Sequence, residues 1–283
     1  MSPNLLALGA IALWGTLAAL GVALKHVPPF LLTGLALLVG SLIALPLSGF
    51  RLSQWKVPLS TLALGVYGLF GFHFLLFLAL RHAPPVQANL VNYLWPLLMV
   101  VLAPVILPGM ALRAVHVAAA LLGFAGAAVV ILGGSSSLEA APGATGWAWG
   151  YLPALGSALI WSTYSLLTRR VAAFPTAAIG GFALVSGVLS LLCHFWLEPA
   201  VELSARDGLL IAIMGLGPMG AAFFLWDKAL KTGDARLIGI LSYLTPLLST
   251  ALLIAVSGRA LTWNVALAAV MIVGAAILGT RSR

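Results

Sequence analysis

Residues 91–98 read VNYLWPLL, and residues 241–248 read LSYLTPLL. Tyr, Leu, Pro, Leu and Leu coincide at matching places, 150 positions apart. Each octet lies inside an apolar segment, 86–107 and 236–257, long enough to cross the hydrocarbon core of a bilayer. Lipid asks for apolar side chains and a helix whose backbone groups are all paired. Pro96 and Pro246 each remove a helix donor. Asn92, Tyr93 and Trp95 bring polar atoms to the same depth. The recurrence predicts kinked or broken helices whose irregular backbone faces protein or a watery cavity, with Pro96 and Pro246 as hinges.

Working outward, breaks at Pro, Gly and charged residues divide the chain into ten such segments: 4–24, 29–49, 58–80, 86–107, 114–133, 148–168, 176–197, 208–230, 236–257 and 262–280. The composition agrees, with 62% hydrophobic and 7% charged residues, against about 25% charged in soluble proteins. The net charge of +8 comes from Lys and Arg between spans, where they act as topology signals and not as a nucleic-acid surface. With a cytoplasmic N-terminus, Arg51, Lys56, Arg113, Arg169, Arg170, Lys228, Lys231, Arg236, Arg281 and Arg283 lie inside, and Lys25, Arg81, Arg206 and Arg259 outside. That bias places both termini in the cytoplasm. The first segment lacks a basic leader and is read as a retained helix, not a signal peptide. Cys193, alone, forms no internal disulfide.

The two halves repeat. Trp14 matches Trp161, Ala79-Leu80 matches Ala229-Leu230, Arg81 matches Lys231, and Gly126-Ala127-Ala128 matches Gly274-Ala275-Ala276. The offset drifts only from 147 to 150. Residues 1–134 and 147–283 are therefore read as two five-helix repeats, joined by a Gly/Ser/Ala-rich linker at 135–146. Five spans is an odd number, so the second copy enters the membrane from the opposite face. Inverted repeats of this kind commonly hold a substrate site between them, near the midplane.

Polar groups at that depth are the candidate site. Tyr93 and Tyr243 flank the midplane, each about 6 Å from it at 1.5 Å per residue. Trp55, Trp147, Trp149, Trp196 and Trp263 suit the membrane interface, whereas Trp14, Trp95 and Trp161 fall mid-span and need partners for their N–H groups. Trp161 and Tyr164 sit one turn apart among Ser157, Ser162, Thr163 and Ser165. His73 is an ionisable group well inside a span, and such groups are functional candidates. Gly65, Gly68 and Gly71 precede it as a stripe for close helix approach. Asn89 and Asn92 share a face, and Asp227 and Lys231 are spaced for a local ion pair. Ser242 replaces Asn92, and Thr245 replaces Trp95, in the second octet.

No carboxylate lies at mid-depth to balance an organic cation, and no Lys or Arg to hold a phosphate. Indole, phenol, amide and hydroxyl groups suit a ligand with an apolar body and no net charge. A zwitterionic amino acid fits, its ammonium on aromatic faces and its carboxylate on Asn, His or helix-end N–H groups. A membrane enzyme would need a nucleophile–base pair or a metal cluster. The sequence has no G-x-S-x-G, no H-E-x-x-H and no Cys/His cluster, so no enzyme, metal or cofactor is expected.

Ten spans in two halves, with ALW…G early and YL-x-PLL late in each, resemble the EamA-type proteins of the drug/metabolite transporter superfamily, and within it the YddG-type exporters of aromatic amino acids. The resemblance covers nearly the whole chain. It implies an all-α fold of ten transmembrane helices around a central cavity, in the bacterial inner membrane, with lipid and a small-molecule substrate as partners and no obligate protein partner. Helices 1, 3, 4, 6, 8 and 9 would line the cavity, with Trp14, His73, Asn89, Asn92, Tyr93, Trp95, Trp161, Tyr164, Ser242 and Tyr243 as substrate contacts. The implied activity is export of neutral amino acids by alternating access. The alternatives are export of lipophilic drugs or other metabolites, and a scaffold that transports nothing.

Overall fold

The apolar segments all become helix, and no strand occurs among the described residues, which are 1–133, 149–257 and 262–280 of a computed structural model. The linker at 135–146, Trp147, Arg259, Arg281 and Arg283 lie outside these residues. Among the described residues, nine spans are long and apolar enough to cross a membrane: α1 Pro3–Ala23, α2 Pro29–Leu47, α3 Leu59–His82, α4 Pro85–Ile106, α5 Ala114–Gly133, α7 Thr176–Leu197, α8 Ala205–Thr232, α9 Ala235–Ala255 and α10 Trp263–Thr280. The tenth, α6, runs Tyr151–Leu167, 17 residues, or about 25 Å at 1.5 Å per residue. Large apolar side chains face outward along the bundle, with Val105 79% and Val270 71% exposed, as expected of lipid-facing helices. Trp149, Trp196 and Trp263 are exposed near span ends, while the Trp55 ring is drawn inward against Gly180.

Helix pairing follows an exchange of halves. α5 packs on α10, α2 on α7, and α4 on α9. The pairs α1–α8 and α1–α9 are mirrored by α6–α3 and α6–α4. Irregularities repeat as well. α3 widens into a π turn at Tyr67–Gly71 and α8 into another at Gly217–Ala221, 150 positions on. Glycines at these turns admit close neighbours. A Cβ on Gly40 of α2 would lie 2.8 Å from both the Gly215 and Met219 carbonyl oxygens of the second turn. A Cβ on Gly68 would drive into the Tyr164 ring.

The octets are broken helices. α4 consists of Pro85–Asn92 and Trp95–Ile106, and α9 of Ala235–Leu241 and Leu244–Ser257. The sequence placed the irregularity at the prolines, but it falls two to four residues earlier, at Tyr93-Leu94 and Ser242-Tyr243. Each proline sits instead in the first turn of a new helical piece, where its missing N–H would have had no partner anyway. The chain turn at the second break is closed by the Thr245 N–H donating to the Ser242 carbonyl at 3.0 Å.

Candidate transport site

A cavity of about 490 Å³ lies between α1, α2, α3, α4, α6, α8 and α9. Its floor is aromatic. Trp14 meets Trp161 edge-on, with ring centroids 5.7 Å apart, and Trp95 meets Trp161 at 6.4 Å. Phe223 closes on both Trp14 (6.2 Å) and Trp161 (5.7 Å). Trp226 lies beneath, 5.0 Å from Trp14, its indole N–H donating to the Ser165 hydroxyl at 3.1 Å. Such contacts add about 0.5–1.5 kcal/mol per pair beyond burial, so the floor is a rigid element.

The walls rise from that floor toward one face only. They use Leu17 and Gly21 in the later part of α1, Leu32 and Thr33 early in α2, Phe77 and Leu80 late in α3, Asn89 early in α4, Met214 early in α8, and Ser249 late in α9. All of these lie toward the face that α1 reaches at its C-terminal end. On the far side of the floor Leu166, Ala229 and Leu230 are buried, and a second pocket opens at that end among Leu107, Pro108, Met110, Arg169 and Arg170.

The walls mix uncharged polar and apolar groups. The first half supplies His73, Asn89, Asn92 and Tyr93 beside Phe72, Leu76, Phe77 and Leu80. The position matching His73 in the second half is Phe223, which lines the cavity with Met214, Met219, Thr245 and Ser249. No Asp, Glu, Lys or Arg lines the cavity. Polar atoms are placed by their own elements. His73 follows the π turn, and its Nδ1 lies 2.6 Å from the Leu69 carbonyl oxygen within that turn. The Ser157 hydroxyl donates to the Asn92 carboxamide oxygen at 2.8 Å, sharing its proton with the Ala154 carbonyl. Thr245 Oγ1 is buried without a partner. The indole N–H of Trp14 donates to the Pro218 carbonyl oxygen at 3.1 Å, so Trp14 offers the cavity a ring and not a donor.

Of the residues singled out in the sequence, Trp14, His73, Asn89, Asn92, Tyr93, Trp95 and Trp161 meet around this cavity. Tyr164, Ser242 and Tyr243 do not line it. Tyr164 is buried behind Trp161, 5.4 Å between ring centroids, and rests on Gly68. The Ser242 hydroxyl donates to the Ile238 carbonyl at 2.9 Å inside its own helix. Tyr243, fully buried, is turned toward α5 and α10, against Gly123 and Phe124. The break in α9 reverses the direction that helical periodicity assigns to it. Phe72, Phe77, Met214, Met219, Phe223, Thr245 and Ser249 were missed. Phe223 had a signal, since it lies 150 positions after His73.

Charged clusters brace both ends of the bundle. At one end the Asp227 carboxylate accepts from Lys231 at 2.7 Å and from Thr176 at 2.7 Å, and Lys231 also donates to the Phe174 carbonyl at 2.9 Å. At the other end Glu198, its side chain fully buried, takes the N–H of Phe30 at 2.9 Å and of Leu31 at 3.1 Å. It also takes Arg81 at 3.2 Å and His194 at 3.0 Å. It thereby caps α2 and ties it to α3 and α7.

A helical bundle with a neutral chamber at half depth, reached from one face, is the architecture of a membrane transporter. The chain belongs to the EamA-like transporter family, whose profile matches residues 1–132 and 148–281. It is 43% identical over 282 residues to the "Aromatic amino acid exporter YddG" of Ancylobacter novellus, covering 99% of this chain and 97% of that one. It is 28% identical to the Escherichia coli K12 protein of the same name, over 97% of this chain and 95% of the other. A crystal structure 41% identical superposes with a TM-score of 0.89, covering 99% of this chain and 97% of its own. The chain is therefore a secondary transporter of a small molecule and not an enzyme, and a multi-pass protein of the bacterial inner membrane.

Proposed function

We propose that the protein exports neutral, mainly aromatic amino acids by alternating access, its two five-helix repeats, 1–134 and 147–283, rocking about the chamber in inverted orientation. The observation that carries this reading is the mixed, uncharged lining of the chamber. Polar groups of His73, Asn89, Asn92 and Tyr93 share it with apolar Phe72, Phe77, Met214, Met219 and Phe223, over a floor of tryptophans. An amino acid needs both kinds of surface, for a zwitterionic head and an apolar body. The volume suits a small ligand, since such sites usually span about 300–1,000 Å³. The two relatives named as exporters of aromatic amino acids support the same cargo. Lys and Arg are biased to one side of the spans, which supports cytoplasmic termini; the chamber then faces outward and its floor is the closed inner side. Broken α4 and α9 supply the places where backbone can bend, with Pro96 and Pro246 starting the pieces that move. The substrate contacts are Trp14, His73, Asn89, Asn92, Tyr93, Trp95 and Trp161.

The test is flux of labelled phenylalanine, tryptophan and threonine in proteoliposomes carrying the purified protein. Movement of phenylalanine above protein-free vesicles, saturable and competed by unlabelled tryptophan, is expected. Flux no greater than that of empty vesicles, for all three, refutes the cargo.

A further inference from the structure

The chamber lining contains one polar group whose hydrogen-bonding sense is fixed by the fold. His73 Nδ1 sits 2.6 Å from the Leu69 carbonyl oxygen. A carbonyl oxygen only accepts, so Nδ1 carries the proton. The neutral imidazole is then committed to the tautomer whose Nε2 is a bare acceptor. Nδ1 is turned back toward its own helix, so Nε2, across the ring, points away from it, and the residue lines the cavity. His73 is 9% exposed, and the hydrogen bond its ring makes within the protein is the one from Nδ1 to the Leu69 carbonyl. Phe72 at 5.0 Å and Phe77 at 6.0 Å between ring centroids fix the ring plane. The π turn that ends just before His73 interrupts the regular ladder at Leu69, which is why a side chain reaches that carbonyl.

Other polar groups lining the same cavity are donors, or can act as either donor or acceptor. Asn92 has its carboxamide oxygen occupied by Ser157, which leaves its N–H groups to donate. Thr245 Oγ1 can rotate to donate or accept, and is buried with no partner. None of the lining residues bears a charge of its own. An acceptor lacking a proton, in a cavity that also holds donors, distinguishes the two ends of a zwitterion. It binds an ammonium and repels a carboxylate.

We infer that His73 Nε2 is the receptor for the α-ammonium group of the cargo, and so the residue that makes the site select amino acids over the corresponding carboxylic acids. The carboxylate goes to the donors around Asn92, and the side chain to the wall of Phe223 and the tryptophan floor. This rests on the amino-acid reading above and adds the polarity of binding, since histidine could in principle have served the carboxylate instead.

The experiment uses the purified full-length protein in detergent. Quenching of tryptophan fluorescence reports binding of phenylalanine, 3-phenylpropionate, which lacks the ammonium, and phenethylamine, which lacks the carboxylate. His73→Leu is expected to weaken phenylalanine and phenethylamine by about tenfold to a hundredfold, the worth of one charge-assisted hydrogen bond, and to leave 3-phenylpropionate within about twofold. His73→Gln, whose amide oxygen can accept, is expected to recover most of the loss. Equal phenylalanine affinity in wild type and His73→Leu overturns the inference, and so does a loss shared equally by all three ligands. Where the leucine variant fails to fold, the wild-type protein decides. Phenethylamine is expected to bind about tenfold or more tighter than 3-phenylpropionate, and the reverse order overturns the assignment. Failure of the amino-acid reading itself looks different, because wild-type protein would then bind no phenylalanine at all.

Discussion

Glu198→Gln is expected to destabilise the protein strongly, although Glu198 lies outside the chamber. Its carboxylate has no solvent-exposed side-chain surface and gathers donors from three spans: Phe30 N–H at 2.9 Å, Leu31 N–H at 3.1 Å, Arg81 at 3.2 Å and His194 at 3.0 Å. Two of these donors are the free N–H groups at the start of α2, which no residue of α2 itself can satisfy. Glutamine keeps the shape and one oxygen, but turns an NH2 group against donors that need an acceptor. A hydrogen bond to a charged group is worth about 1.5–3 kcal/mol. Losing half of four such bonds costs about 3–6 kcal/mol, in line with the 3–5 kcal/mol typical of a broken buried ion pair. At about 2–4 °C per kcal/mol, the unfolding temperature in detergent falls by about 6–24 °C. The assay is a heating series read by size-exclusion chromatography, with the exposed Glu202→Gln as control. Arg81→Ala then closes a double-mutant cycle, in which the two changes together cost less than their sum because they remove one shared contact. A Glu198→Gln protein that melts within about 2 °C of wild type refutes the account of these contacts as a structural tie.

Gly68→Val places a side chain into the Tyr164 ring, so a drop in expression of folded protein, or an unfolding temperature lowered by several degrees, is expected on chromatography. Tyr243→Phe removes a buried hydroxyl outside the chamber lining; phenylalanine flux should stay within about twofold of wild type. Tyr93→Ala, at the wall of the chamber, should in contrast lower flux about tenfold or more while leaving the protein folded, because an aromatic contact of the ligand is lost. For topology, in a Cys193→Ala background, Ser204→Cys should react with an impermeant maleimide from outside the cell, and Arg169→Cys only after the membrane is opened. The opposite pattern inverts the proposed orientation.

Hydropathy made the spans legible because lipid imposes one requirement along the whole length of a helix. The ends of α2, α4, α5 and α7 fall within two residues of the positions that Pro, Gly and charged residues marked. Trp14, Trp95 and Trp161 were readable for the same reason, as large polar-edged rings out of place at mid-depth. Tyr243 shows where this logic stops. Depth tells how far along the axis a side chain sits, but its direction around the axis depends on every residue turn before it. The break at Ser242-Tyr243 resets that angle, so the second tyrosine faces Gly123 while its counterpart in the first octet faces the chamber. The two π turns also interrupt α3 and α8; the second carries Pro218 as a signal, and the first has only its glycines. Glu198 was invisible for another reason. It follows the last residue of a span and reads as an ordinary interfacial acid beside His194, and only the packing of α2 and α3 at the end of α7 brings Phe30, Leu31 and Arg81 to it.

The bond from Trp14 to the Pro218 carbonyl bears on how selective the protein can be about side chains. With that indole edge already engaged, the floor beneath Trp14 grips a guest through ring contact alone, and ring contact discriminates by size, at about 1–3 kcal/mol per methylene. Leucine and methionine should therefore travel as poorer cousins of phenylalanine, and tyrosine should not be turned away for its extra hydroxyl. A cell equipped with such a carrier gains a relief valve for a whole chemical neighbourhood of metabolites, with the head group checked at the door and the tail merely measured.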